Sequence, residues 1–309
     1  MRLSITNLNK SYDKKQVLKN VNFDVEYGRT LGLLGRNGQG KSTIMKIIMG
    51  IITSNSGQVT IDGVDIAKSD LKLGYLPEER GLYPKRKIIE QIIYFGKLRG
   101  LTGVQAKSRA NELIEKLELT EYTNQKAATL SKGNQQKVQL AIAMVNDPDI
   151  IILDEPYSGL DPVNSRLLQK LIEEASEQNK IILFSSHQLG TVEEFCRDIC
   201  IINHGEVLLT GNLQTIKNAY PKNKLLFVPE PNQTNRLTQT AQGLKNENHC
   251  ENYENTEQGL IVWIKNEDTK NTVISRIMTN VQIESFGVVK PTLLEIFLEK
   301  VETTTGVEE

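Results

Sequence analysis

The chain opens on alternation. Leu3 and Ile5, then Val21, Phe23 and Val25, put apolar side chains at every second position, the period of a strand with one buried and one solvated face. These two segments are expected as edge strands. Thr30–Leu34, Ile150–Leu153 and Lys180–Phe184 are denser apolar runs, expected as central strands covered on both faces and lying side by side. Lys87–Arg99, Gln105–Leu117 and Gly133–Val145 read as helices, with no convincing strand among them. Strands alternating with helices up to about Tyr220 predict an α/β domain with a largely parallel sheet, into which residues 85–145 insert a helical subdomain.

Past Tyr220 the character of the chain changes. Residues 221–309 carry 9 basic and 13 acidic side chains against 28 and 25 in the first 220, and they are rich in Asn, Gln and Thr. A domain boundary is expected there. Gly259–Ile264 and Val281–Ser285 read as strands, Asp268–Met278 and Thr292–Val301 as helices. Thr292 followed three residues on by Glu295 has the spacing of a capping box. The expectation is a small α/β accessory domain over 221–302, ending in a flexible tail at 303–309 that has nothing to bury.

Composition narrows the function classes. With 309 residues, 39% hydrophobic and 24% charged, the chain is long enough for two domains and ordinary for a folded protein. Its 37 basic and 38 acidic residues leave a net charge of −1, which gives no global electrostatic footprint for a nucleic-acid partner. No apolar run approaches the roughly 20 residues needed to cross a bilayer, and Met1–Lys10 lack a signal-peptide core, so a cytoplasmic location is expected. Cys196, Cys200 and Cys250 are too few and too irregular for a disulfide framework and are expected as buried thiols.

Two segments carry chemistry. Gly35, Arg36, Asn37, Gly38, Gln39, Gly40, Lys41, Ser42 and Thr43 form a glycine-rich run between an apolar strand and the apolar-periodic segment Ile44–Met49. Glycines let the backbone curl until its N–H groups converge on an anion, and the following helix points its positive end at the same place. Lys41 can then reach the outer phosphates of a nucleotide and the Ser42 hydroxyl can ligate Mg²⁺. The second segment, Ile150–Pro156, is a buried strand ending in Asp154 and Glu155. Strand alternation separates the directions of the two carboxylates, so they are expected to do different work. Ligands of open parallel sheets bind beyond the carboxyl ends of the strands, where both segments should meet. Asp154 would hold the Mg²⁺ shell, and Glu155 would orient or deprotonate the attacking water. Taken alone, an Asp-Glu pair can also merely end a strand at solvent.

At this point the chain, over about Met1–Tyr220, resembles the ATP-binding subunits of ABC transporters. The residues that carry the resemblance are L-S-K-G-N-Q-Q-K-V, Leu130–Val138, similar to that family's signature segment and about twenty residues before the Asp154 strand. The resemblance implies a P-loop ATPase fold, the ligands ATP and Mg²⁺, and a head-to-tail pair in which Ser131, Gly133 and Asn134 of one subunit cap the ATP held by the other. Lys132 and Asn134 depart from the commonest residues. The resemblance further implies that Tyr12 stacks on adenine, that Ser158–Asp161 cross the subunit interface, and that His187 contacts the γ-phosphate and steadies the attacking water. Glu78, in Tyr75–Tyr83, stands where many members have a glutamine that touches Mg²⁺ and water; a carboxylate can still ligate the ion. This segment and Pro291–Leu298 are similar to a bacterial exporter subgroup that includes sodium-efflux ATPases. The implied partner is a separate membrane-spanning permease, docked near Lys85, Arg86 and Lys87.

Two rival classes stay open on the sequence. A soluble ABC-type ATPase acting on DNA or ribosomes would carry long coiled coils between phosphate loop and signature, or two cassettes; here Lys41 and Ser131 are 90 residues apart and there is one cassette. A regulatory module that binds ATP without turnover is the other, suggested by Glu78 and Lys132.

Overall fold

The structure is a computed structural model and describes residues 2–79, 81–221 and 223–305. Strands β1 (Arg2–Tyr12) and β2 (Lys15–Glu26) form an antiparallel hairpin. β3 (Thr30–Leu34) leads through the glycine run into α1 (Lys41–Ile48), and β4 (Ser56–Ile61) pairs with β1 on the side away from β2, followed by the short β5 (Val64–Asp65). The sheet order is β2-β1-β4-β5, entirely antiparallel. β1 is therefore an interior strand and only β2 an edge, a correction to the edge reading of both. Alternation reports one buried face; it does not report how many neighbours a strand has along its hydrogen-bonding edges.

The second sheet takes β3 together with β6 (Leu73–Leu76), β7 (Ile150–Leu153), β8 (Ile181–Ser186), β9 (Asp198–Asn203) and β10 (Glu206–Asn212). Its order is β10-β9-β3-β8-β7-β6, parallel throughout except for the final β9–β10 hairpin. The three apolar runs do lie side by side, as β3-β8-β7. Every residue of β3, β7 and β8 is buried, which is why their sequences lack alternation. Between β6 and β7 come α2 (Ile88–Leu98), α3 (Gly103–Lys116) and α4 (Lys132–Met144), and among the described residues of this stretch there is no strand beyond a single bridge, Lys87 to Lys126. α3 begins at a capping box built from Thr102 and Gln105. α5 (Pro162–Glu177), α6 (Leu189–Phe195) and α7 (Leu213–Ala219) follow. One core joins the two sheets: Leu3, Phe23 and Ile61 from the first pack with Leu33, Ile152 and Leu183 from the second, around Ile44 and Met45 of α1.

Contacts divide the chain into two compact units, Met1–Leu213 with Ile296–Glu309, and Gln214–Glu295. The second unit holds β11 (Lys224–Pro229), α8 (Thr234–Asn246), β12 (Cys250–Thr256), β13 (Gly259–Ile264), α9 (Glu267–Asn280) and β14 (Ile283–Val289). Its antiparallel sheet runs β12-β13-β11-β14, the order of a split β-α-β fold. Leu225, Phe227, Leu260 and Val262 of the sheet pack against Leu237, Leu244, Val273 and Ile277 of the two helices. The last helix, α10 (Leu293–Thr305), starts at the expected capping box: the Thr292 N–H donates to Glu295 Oε2 at 2.9 Å, and the Glu295 N–H to Thr292 Oγ1 at 3.2 Å. The helix runs on into the expected tail, of which 306–309 lie outside the described residues. All three cysteines are buried and free, as expected.

Candidate functional site

The glycine run closes at the carboxyl end of β3 because two of its residues have no room for a side chain. A Cβ on Gly35 would stand 2.4 Å from the Ile202 carbonyl oxygen, and one on Gly40, whose φ of 105° is left-handed, would stand 2.5 Å from a Leu18 methyl. Gln39 Oε1 accepts the His204 N–H and so ties the loop to the β9–β10 turn. Lys41 is the first residue of α1, and its ammonium folds back to donate to the carbonyls of Gly35 at 2.6 Å and Arg36 at 3.2 Å. Two of its three protons are thus spent on holding the loop, and one remains to donate. Burial pushes the Lys41 pKa down, opposed by the carboxylates of Glu155, Asp154 and Glu78. The N–H groups of the first turn of α1 have no partners within the helix and carry its positive end.

A cavity of about 250 Å³ lies over this loop, lined by Val17, residues 37–43, Glu78, Asp154 and Glu155. Both acidic residues at the end of β7 line this one cavity, where the glycine run and the strand end were expected to meet. The strand stops at Leu153, and Glu155 takes a left-handed φ of 51°, a conformation that costs a non-glycine residue roughly 1–3 kcal/mol. Alternation holds only within a strand. Their surroundings nevertheless differ. Asp154 is 2% exposed and its Oδ1 accepts a 2.6 Å hydrogen bond from Ser185 Oγ. Glu155 Oε2 lies 2.8 Å from His187 Nδ1, while its Oε1 is buried and has no protein partner. Ser185 Oγ also accepts the Glu155 N–H at 2.9 Å, so one buried hydroxyl fixes both acidic residues.

Ser185 was not among the residues singled out from the sequence. The signal was present: two serines at the end of an otherwise apolar run are polar groups that must find partners once buried. Replacing Ser185 with alanine should orphan a carboxylate oxygen and an amide together. We expect a loss of about 1–3 kcal/mol in unfolding free energy, read by denaturant titration, alongside reduced turnover. Unchanged values of both would contradict the bracing role.

The remaining sequence-nominated residues are placed as follows. Gly35 and Arg36 contribute carbonyls to Lys41 and do not line the cavity. Ser42 and Thr43, on the first turn of α1, line it, as does the exposed Glu78 just past β6. Tyr12, at the tip of the β1–β2 hairpin, is 45% exposed beneath the Lys10 ammonium and is not in the lining. Ser131 caps α4, its Oγ accepting the Asn134 N–H at 3.2 Å, and Gly133 approaches Asn164. These three signature residues do not line the cavity within one chain. Asp161 caps α5, and its hydrogen bonds from Asn164 help hold its pKa below the ordinary carboxylate value.

The residues present fit a nucleotide with Mg²⁺. A cradle that a single Cβ would fill, a lysine with a proton to spare, the Ser42 hydroxyl and an unpartnered Glu155 oxygen supply donors for phosphate and oxygens for a hard cation. Strand, glycine loop, helix and an acidic strand end one strand removed together define a P-loop nucleotide-binding domain. Residues 18–158 match the family model for the ABC transporter domain, and residues 211–301 match that for the C-terminal domain of DrrA1-3-like ATP-binding proteins. An uncharacterized ABC transporter ATP-binding protein of Bacillus subtilis, YhaQ, is 35% identical over 301 residues, covering 97% of this chain and 98% of that protein. The linearmycin resistance ATP-binding protein LnrL of the same species is 35% identical over 213 residues, 68% of each chain. Among solved structures, an ATP-binding subunit of an ABC transporter matches with a TM-score of 0.65 and 31% identity, over 71% of this chain and 92% of its own. A dimeric bacterial ABC transporter cassette, also solved in a post-hydrolysis state with ADP and Pi, matches with a TM-score of 0.61 and 28% identity, over 68% and 98%. The chain belongs to the ATP-binding subunits of ABC transporters. It is an ATPase that binds ATP with Mg²⁺. Among the described residues, no helix is long and apolar enough to cross a membrane.

Proposed function

We propose that this chain is the motor subunit of an exporter, pairing head-to-tail around two Mg²⁺-ATP and driving a separate membrane-spanning permease from the cytoplasmic face. The observation that carries the reading is the Glu155 carboxylate, held on one oxygen by His187 at 2.8 Å and left without a partner on the other, in the cavity that also holds Lys41. That oxygen, buried and without a protein partner, is assigned to orient a water or take its proton once the site closes on ATP. Mg²⁺ supplies charge neutralisation at the phosphates when bound; Ser42, Asp154 and Glu78 are the oxygens that would hold it or its water shell. Ser185 keeps Asp154 from turning away. Lys41 and the N–H groups of residues 38–43 grip the phosphates, and His187, which steadies Glu155, is assigned the γ-phosphate contact. Tyr12 is assigned to the adenine by its place on the hairpin that carries Val17.

Ser131, Gly133 and Asn134 lie outside the cavity of their own chain, which supports a role on the ATP of a second subunit. Each site is then complete only in the pair, so ATP favours closure and hydrolysis favours release. The helical subdomain is assigned the permease contact, and residues 221–302 an accessory role. Export is favoured by LnrL, whose name records linearmycin resistance. The pairing is tested with Asn37→Cys and Ser131→Cys in one chain carrying Glu155→Gln. A short bifunctional thiol reagent should link two chains through these positions with Mg²⁺-ATP and not without it; linkage indifferent to nucleotide contradicts the head-to-tail site. The three native cysteines are buried and do not compete.

A further inference from the structure

The sheet of the second unit has two edge strands, β12 and β14. Among the described residues β14 pairs only with β11, and Glu284 through Val288 are all exposed. Two of these are large and apolar: Phe286 is 45% and Val288 41% exposed. They lie opposite Phe227 and Leu225, on the face that packs against the helices, and the Phe286 ring stacks on Phe227 at 5.9 Å between centroids. An apolar stripe therefore runs out of the core to the sheet edge. Bare edges are usually blunted by lysine, proline or inward charge. Between Ser285 and Val289 there is none of these; the irregularity that leaves Glu284 as an extra β14 residue opposite β11 sets one limit, and Pro291 sets another just past Lys290.

The residues along this edge complement themselves. About a two-fold axis through Gly287, antiparallel pairing of two β14 strands sets Phe286 against Val288 of the other copy, and Ser285 against Val289. Glu284 then meets Lys290 at both ends. Both of those charged residues are exposed, and neither has an ion-pair partner among the described residues. Gly287 itself has nothing within 4 Å of its Cβ position, so the centre of the axis is open. We propose that β14 is a docking edge for a second copy of this chain, joining two C-terminal sheets into one through apolar Phe286–Val288 pairs bracketed by Glu284–Lys290 ion pairs. A strand of unrelated sequence would gain the backbone bonds but would have no reason to place cation, apolar pair and anion in this order. Self-pairing of this kind is isologous and closes at two. It requires no nucleotide, unlike the head-to-tail contact.

Full-length Gly287→Cys, incubated without nucleotide under mild oxidation, should form an interchain disulfide. Directly opposed residues in an antiparallel pair have Cα atoms about 4.5–5.5 Å apart, within disulfide reach. Glu254→Cys, on the opposite edge strand β12, should stay reduced under the same conditions. By sedimentation, Glu284→Lys should weaken dimerisation about tenfold and Glu284→Lys with Lys290→Glu should restore it, as expected for two coupled surface pairs. Cross-linking of Gly287→Cys no faster than that of Glu254→Cys overturns the proposal, as does a charge swap no better than the single reversal. The Lys41→Ala background separates the two accounts: it should leave the Gly287→Cys link intact even where ATP binding is lost.

Discussion

Glu155→Gln should lower phosphate release by roughly 10²–10⁴-fold, the usual contribution of a positioned general base, while equilibrium binding of Mg²⁺-ATP is kept. The amide preserves the size of the side chain and can still meet His187 Nδ1 through its carbonyl oxygen. What it loses is the negative oxygen that can take a proton. The buried Oε1 has no protein partner, so removing its charge disrupts no existing hydrogen bond, and the Ser185 bonds to Asp154 and to the backbone of residue 155 are untouched. A fall in turnover with retained affinity therefore separates chemistry from binding. A mutant with turnover equal to wild type, or two equally inert proteins, would remove Glu155 from the base role and favour a module that binds ATP without hydrolysing it.

The second large effect is expected at Gly35→Ala. The new methyl would stand 2.4 Å from the Ile202 carbonyl oxygen, where an ordinary contact begins at 3.4 Å. That oxygen belongs to the backbone of β9, and Ile202 is 0% exposed, so it cannot move aside as a side-chain tip could. The loop must instead shift by about 1 Å, a displacement that can cost on the order of 10²-fold where several donors converge on one ligand. The Gly35 carbonyl, which holds Lys41 at 2.6 Å, moves with it. Titration with Mg²⁺-ATP should show affinity reduced by about that factor. Gly38→Ala meets nothing within 4 Å, so its effect should come from its left-handed φ of 79° alone and be smaller. Equal effects at the two glycines would mean that the approach to β9 does not shape the loop.

Much of the site is local in sequence, and that part was legible. Residues 35–43 are contiguous, so spacing alone specifies strand, turn and helix, and the buried run Ile150–Leu153 announces a strand end at Asp154. Features that depend on partners far along the chain were not legible. Ser185 reaches Asp154 across 31 positions, and only the adjacency of β7 and β8 brings the two together. The left-handed backbone at Glu155 was not legible either, since composition does not mark it. The fold divides in the same way. The three central strands were expected side by side, and are, because full burial writes itself as unbroken apolar runs. The separate antiparallel sheet was missed because an alternating strand looks the same at an edge and in an interior. In the second unit, α8 and β12 escaped because their apolar residues are sparse, whereas β11 carries the continuous apolar run Leu225–Val228 and was as legible as β13. α8 buries only Leu237, Ala241 and Leu244, correctly spaced for a helix but diluted by Thr, Gln and Asn.

The account rests most heavily on Lys41. Direct equilibrium binding of Mg²⁺-ATP to the full chain, compared with Lys41→Ala, should give measurable affinity for the wild type and a loss of about ten- to hundredfold in the variant, the worth of a hydrogen bond to a charged group. Affinity undiminished by the alanine, or none in the wild-type chain, would contradict it.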